Sequence, residues 1–331
     1  MKFSKIFMGI TNRCNAKCFT CNREVYTKYQ YNNETSIDLI ERIVPFTDEL
    51  NFIGEMGDFI FHPKSLEIAD LVIRKHNTFM RTDTNGNRPD QDYWKALGEL
   101  TAGTESYVRF MIDDLEDDKH RVGVDTQQVL RNIQTFIDAG GNAYVKTILF
   151  DFNYNKIDAM AQVFKDMGVQ KYHSIKSRWY QDSGPLSAPP GVQSSLKTFD
   201  VIVEGKSKGD LNNIKVKECH WAKNKLCYIN EFGELKVCCH LVFEGIVFAQ
   251  EIDSFMEPYI GREMFQDLLD LYERNKKLIN LNTPGVTLES AYSNEFNQTL
   301  INNPNDFKIC KYRCNLPNHI KDRLLYDNTI F

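Results

Sequence analysis

Nine cysteines fall in three groups along 331 residues: Cys14, Cys18 and Cys21, then Cys219, Cys227, Cys238 and Cys239, then Cys310 and Cys314. The long stretch between Cys21 and Cys219 contains none. Clustered cysteines in a chain that reads as cytosolic point first to metal or catalysis rather than to disulfides. Two metal sites on two structural units is the simplest reading. The first group, Cys14-Asn15-Ala16-Lys17-Cys18-Phe19-Thr20-Cys21, has a C-x3-C-x2-C spacing. Three thiolates on one short loop can hold three corners of a cubane iron–sulfur cluster and leave the fourth iron open. An open position is what a catalytic metal needs, whereas a closed one suits structure. On spacing alone, half of a zinc site is the alternative.

Thiolates need a scaffold, and composition allows one. With 42% apolar and 26% charged residues and a net charge of −5, the chain reads as globular rather than disordered. No run approaches the roughly eighteen apolar residues of a membrane span. The start, Met1-Lys2-Phe3-Ser4-Lys5-Ile6, has no signal-peptide core, which predicts a cytoplasmic location. Mild acidity argues against a broad nucleic-acid surface.

Residues from Lys5 to about Tyr180 alternate strand and helix patterns. Strands are expected near 5–10, 50–53, 79–84, 107–112, 144–150 and 172–177. Between them, Ser36 reads as the cap of a helix to Val44, and Pro63 as the opening of one to His76. Further helices are expected over 126–139, stopped by Gly140-Gly141, and over 157–167, stopped by Gly168. Six βα repeats predict an α/β fold, a partial (β/α)6 TIM-type barrel, whose chemistry lies at the C-terminal strand ends. The first cysteine loop sits at such an end, as do Glu55, Asn85, Asp113, Asn153 and Arg178. Tyr180–Pro190 reads as a boundary. The expected organisation is a barrel over 1–180, a bridging region over 181–218 and a small C-terminal β-hairpin/helix cluster-binding domain over 219–331. Asp117-Asp118 reads as a solvated acidic turn.

The C-x3-C-x2-C loop after strand 1, Gly54-Glu55 after strand 2 and Thr84-Asn85-Gly86 after strand 3 together resemble the radical SAM superfamily. The stretch from Val108 to Asp113 and on through Asp118, His120 and Arg121 resembles its peptide- and cofactor-maturing branch. The resemblance implies a 4Fe–4S cluster on Cys14, Cys18 and Cys21, with S-adenosylmethionine on the open iron and Gly54-Glu55 at its methionyl amine. Cofactor contacts are expected from Phe19, Asn85, Asp113, Asn153 and Arg178, the last through a bidentate guanidinium. The chain departs from the family at four places. Thr20 stands where an aromatic usually precedes the third cysteine, Ile53 stands in the usual Gly-Gly-Glu, Met56-Gly57 replaces a proline, and Met111 replaces a serine.

The later cysteines surround a hairpin pattern, Tyr228 to Val237 with its turn at Glu231–Glu234, followed by a helix near 262–276. This resembles the twitch extension, a shortened SPASM domain, which implies an auxiliary 4Fe–4S cluster on Cys219, Cys238, Cys310 and Cys314. A zinc site on the same thiolates is the alternative, and Cys239 could replace Cys238. The implied activity is radical C–H oxidation of a small molecule or peptide. Asp113 would be the base, the auxiliary cluster the electron acceptor, and a flavodoxin or ferredoxin the donor. Two other readings stand beside it. One is an epimerase with Cys227 or Cys239 as hydrogen-atom donor, and the other a non-catalytic zinc-binding or nucleic-acid-interaction module.

Overall fold

The structure is a computed structural model, and it describes residues 1–18, 21, 33–53, 56–177, 181, 183–192, 215–238, 266–307, 310–311 and 328–329. The first strands are β1 (Lys5–Met8), β2 (Lys17–Cys18), β3 (Glu49–Phe52) and β4 (Phe79–Thr84). Next come β5 (Tyr107–Met111), β6 (Arg121–Val122), β7 (Ala143–Leu149) and β8 (Lys171–Lys176). The chain ends with β9 (Leu226–Ile229), β10 (Leu235–Lys236) and β11 (Asn328–Thr329). The fold is α/β with mostly parallel strands, as the repeating pattern predicts.

Two compact units interleave along the sequence. The first holds Met1–Ile10, Asn33–Asn51 and Val201–Pro317, and the second Thr11–Asn32, Phe52–Asp200 and Asn318–Phe331. In the first unit the strands run β10-β9-β1-β3. β9 lies parallel to β1, with Cys227 opposite Ile6, and β10 returns antiparallel to β9. The hairpin turn is made at Gly233, whose φ of 84° suits glycine. Ser36 caps the helix Ile37–Ile43 by accepting the Leu39 N–H, as its sequence position predicts.

In the second unit the order is β4-β5-β7-β8-β11, parallel until β11 closes the edge antiparallel to β8. Alternation sets the faces. Met80, Thr82 and Thr84 of β4 and Val108 and Phe110 of β5 are buried on one side, where Phe110 meets Trp94 at a tilt and Phe136 edge-on. Asp83 and Arg109 point the other way and pair at 2.5 Å. Asp125 caps the helix Thr126–Asp138, and Gly140 leaves it at φ 88°.

Three differences from expectation have local causes. The third-strand crossover helix begins at Ser65 rather than Pro63, and its last turn, Leu71–Lys75, widens to a π-turn. A helix over Gln91–Thr101 was not anticipated. Its cues are Asp90, which accepts the Tyr93 N–H, and the spacing of Tyr93, Trp94, Leu97 and Thr101, interrupted by Gly98. Part of the expected bridging region packs instead of crossing free. The Asp151 N–H donates to Ser187 O at 2.9 Å, and Leu186 is buried against Phe150. Among the described residues no helix is long and apolar enough to cross a membrane.

Candidate cluster-binding site

The cysteine loop is fastened from below by a residue without a side chain. A Cβ on Gly57 would lie 2.3 Å from Thr11 O and 2.8 Å from Arg13 N, so only glycine lets the two backbones meet. This accounts for glycine where the family carries a proline nearby. The next residue completes the joint: the Asp58 N–H donates to Arg13 O at 2.8 Å. The Asp58 carboxylate then accepts from Ile60 N, Thr84 Oγ1 and Asn85 N, the last at 2.7 Å.

Asn85, thus held at the end of β4, turns its amide to the loop. Nδ2 donates to Cys14 Sγ at 3.3 Å and to Asn15 Oδ1 at 3.0 Å, while Oδ1 accepts the Asn87 N–H. Asn87 and Asn15 continue the lattice through Asn15 Nδ2 to Asn87 O at 2.7 Å. Within the loop the Cys21 N–H donates to Cys18 O. Burial pushes the Cys18 thiol up to about 11, against the pull of Arg121, so metal binding there must displace a proton.

Asp58 is pushed up to about 6 by burial, against the hydrogen bonds from Asn85, Thr84 and Ile60. Folded protein therefore holds this proton at a pH where unfolded chain, near 3.8, has lost it. The contribution is complete below the unfolded value and declines as pH rises through the folded one. Between about pH 3 and pH 7, wild type is expected to lose about 3 kcal/mol relative to Asp58→Asn. Urea midpoints of both proteins across that range measure it, and a constant gap would rule the assignment out.

Behind Cys18 lies a second polar group. β2 pairs antiparallel with β6, setting Cys18 opposite Arg121 and Lys17 opposite Val122. Asp113 is fully enclosed. Its Oδ1 accepts Ile148 N at 2.6 Å, and its Oδ2 meets His120 Nδ1 at 2.8 Å and Arg121 Nε at 3.1 Å. Burial raises the Asp113 carboxyl, but Arg121 and His120 overcome it and hold the group below the ordinary range. Asp118 corrects the expectation of a solvated acidic turn. Only Asp117 is exposed, whereas Asp118 is buried and accepts the N–H groups of Asp113, His120 and Arg121. Asp113, Asp118 and His120 bring three metal-ligand atoms within 4.8 Å of one another, but Arg121 already supplies the cation.

Asn153 is enclosed too. Its amide donates to Asp113 O and Ile148 O, and its carbonyl accepts Phe150 N, fixing the turn after β7. Both Asn153 and Asp113 therefore face protein. Phe19, Gly54, Glu55, Arg178, Cys239 and Cys314 lie outside the described residues.

In the first unit Cys219, Cys238 and Cys310 are half-buried, while Cys227 on β9 is fully buried. Burial raises the Cys227 thiol well above its ordinary value. Cys219 leads into the short helix His220–Lys223 and lines an open cavity of about 360 Å³ with Lys217, Ala222, Ile301 and Pro304.

Comparison with known proteins bears on the loop and on the fold. Residues 8–166 match the model of the Radical SAM superfamily. The match covers just under half of the chain and contains all three N-terminal cysteines. No curated protein matches the chain in sequence. Among solved structures, Streptococcus suis SuiB bound to S-adenosylmethionine aligns at 12% identity with a TM-score of 0.52, over 80% of this chain and 68% of SuiB. SuiB bound to its precursor peptide SuiA aligns at 13% and 0.52, over 78% of this chain and 65% of that one. The chain thus spans about two thirds of SuiB. anSMEcpe with AdoMet and a bound peptide aligns at 16% and 0.53, over 90% of this chain and 83% of that one. These likenesses establish the fold, an α/β fold with a mostly parallel sheet.

Proposed function

We propose that this protein is a radical SAM enzyme catalysing a two-electron C–H oxidation of a small-molecule or peptide substrate. The cysteine loop carries the reading. Cys14, Cys18 and Cys21 lie inside the segment matched to the superfamily, and Cys14 Sγ accepts an N–H from Asn85 as a cluster thiolate would. The donor set suits a 4Fe–4S cluster: three thiols on one loop, one amide N–H aimed at sulfur, and a buried cation on the other side. When bound, the cluster and S-adenosylmethionine supply a 5′-deoxyadenosyl radical that takes a hydrogen atom from carbon.

The rest is the chain's own work. In this reading Gly54-Glu55 receives the methionyl amine, Arg178 a carboxylate, and Phe19 lies along the cofactor. Asp113 and Asn153 hold the strand ends that shape the site. Oxidation then needs a proton acceptor and an acceptor for one more electron. Cys219, Cys238, Cys310 and Cys314 would hold an auxiliary cluster for that electron, and a flavodoxin or ferredoxin would reduce the first cluster. SuiB and anSMEcpe have both been solved with peptides, which favours a peptide among the two substrate classes. An epimerase would need a thiol within reach of substrate. Cys227 has no exposed surface, which disfavours it as the donor.

The test is anaerobic. Reconstituted protein, reduced with dithionite in the presence of S-adenosylmethionine, is expected to release 5′-deoxyadenosine, measured by mass spectrometry, and Cys18→Ala is expected to release none. Release by the variant would show that the loop does not hold the catalytic cluster. In D2O, solvent deuterium in product would point to epimerisation instead.

A further inference from the structure

We propose that Arg121, set opposite Cys18 across the β2–β6 ladder, is the positioning residue that holds the N-terminal cluster in its reducible range. This rests on the radical SAM reading above and goes beyond it to a residue outside the cysteine loop.

The placement follows from the register. Directly opposed residues of an antiparallel pair put their side chains on the same face. Lys17 and Val122 form the outer face of this two-residue ladder and are exposed, whereas Cys18 and Arg121 form the inner one. Arg121 is only 7% exposed. Its Nε faces Asp113 Oδ2 at 3.1 Å and Asp118 Oδ2 at 3.7 Å. Its Nη2 has no hydrogen-bond partner. A buried charged donor left without an acceptor is costly, and evolution retains few of them without a use.

The acceptor is supplied by what the loop is built to hold. The charge of Arg121 acts on both Cys18 and Cys14, and on Cys18 it is a larger influence than Asp113 or Asp118 taken singly. The carboxylates anchor one edge of the guanidinium, at Nε. Asn85 already donates to Cys14 Sγ at 3.3 Å, so the loop has one neutral N–H donor at Cys14 and one buried cation opposite Cys18. Hydrogen bonds to sulfur, local charge and solvent exposure are the levers that set an iron–sulfur potential. Adding an electron makes the cluster more negative, so a fixed cation and N–H donors favour the reduced form. A lysine could match the charge but not the geometry. The planar fork of arginine lets one edge hold Asp113 while the unpartnered Nη2 stays available to the group the loop would bind.

The experiment is a mediated redox titration of the full-length reconstituted protein. It follows the electron paramagnetic resonance signal that changes when S-adenosylmethionine is added, which separates this cluster from an auxiliary one. At a fixed solution potential, Arg121→Gln is expected to lower the reduced-to-oxidised ratio about tenfold, equal to about 59 mV for one electron. Iron content should stay near wild type. Arg121→Lys is expected to give a smaller drop in the same direction. A purely structural arginine would change iron content or folding and leave the midpoint of the loaded fraction where it was. A wild-type midpoint in Arg121→Gln with full iron overturns the proposal. If that variant does not fold, Arg121→Lys decides, and a wild-type midpoint there overturns it equally. A wild-type protein with no signal responsive to S-adenosylmethionine brings down the radical SAM reading itself, and this proposal with it.

Discussion

Replacing Asp113 by asparagine is expected to lower folding stability by about 3–5 kcal/mol, the usual result of removing one partner from a buried ion pair. Three groups lose their acceptor at once. The Ile148 N–H, the His120 ring and the Arg121 guanidinium all converge on this carboxylate, at 2.6, 2.8 and 3.1 Å. Asparagine offers one oxygen for them and turns an N–H₂ toward one of the donors. Arg121 then stays buried with Asp118 alone, at 3.7 Å. The pH dependence has a definite sign. The folded pKa of Asp113 is depressed, so its contribution is present above the unfolded value of 3.8 and is lost as pH falls through the folded one. The gap between wild type and variant should therefore be widest near neutrality and should shrink in acid. Urea denaturation at several pH values measures both the gap and its trend. A variant that unfolds at the wild-type midpoint yet loses substrate oxidation would instead make Asp113 a base in contact with substrate. Its complete enclosure argues the other way.

How far such a network can be read from sequence depends on the range of the contact. β4 and β5 were legible because each is a short run bounded by a turn signal, Thr84-Asn85-Gly86 after one and Asp113-Asp114 after the other. Thr84-Asn85-Gly86 marks its turn by chemistry alone, and Gly86 has the φ of 71° that the turn needs. The first cysteine loop was legible because its spacing is short. Asp118 was misread because a run of acidic residues looks the same whether it faces water or folds back to cap the next turn. What distinguishes it is three backbone N–H groups brought together by the bend from Asp113 to Arg121. Asp58 and Gly57 carried no local signal of their importance. Their partners are Arg13, Thr11 and Asn85, which meet them only through the folded sheet. The Cys18–Arg121 pairing was hidden for the same reason. Two residues per strand leave no periodicity to detect, and the register is set by the loops rather than by the strands themselves.

The second large effect concerns iron. Loaded wild type is expected to hold about eight iron atoms per chain, and Cys310→Ser or Cys219→Ser about four, if each cluster is a cubane. The reason lies in how unequal the two sites are. The N-terminal three cysteines lie on one loop, so their cluster can form without the first unit's later segments. The later cysteines are instead spread over the lead-in to His220–Lys223, the exit of β10 and the segment after Phe307. Losing one thiolate from such a dispersed set opens a coordination position and leaves the remaining ligands to be held by folding alone. Because the first site keeps all its ligands, both variants should still release 5′-deoxyadenosine, while formation of the oxidised product fails for want of an electron acceptor. Cys238→Ser and Cys239→Ser, made separately, should divide the same way, with only one of them losing iron. Iron and zinc analysis together with a 5′-deoxyadenosine assay separates the outcomes. Zinc lost from Cys310→Ser in place of iron would assign the later cysteines to a structural zinc site. Iron unchanged in every one of the four variants would remove the auxiliary cluster, and with it the route by which a two-electron oxidation could be completed.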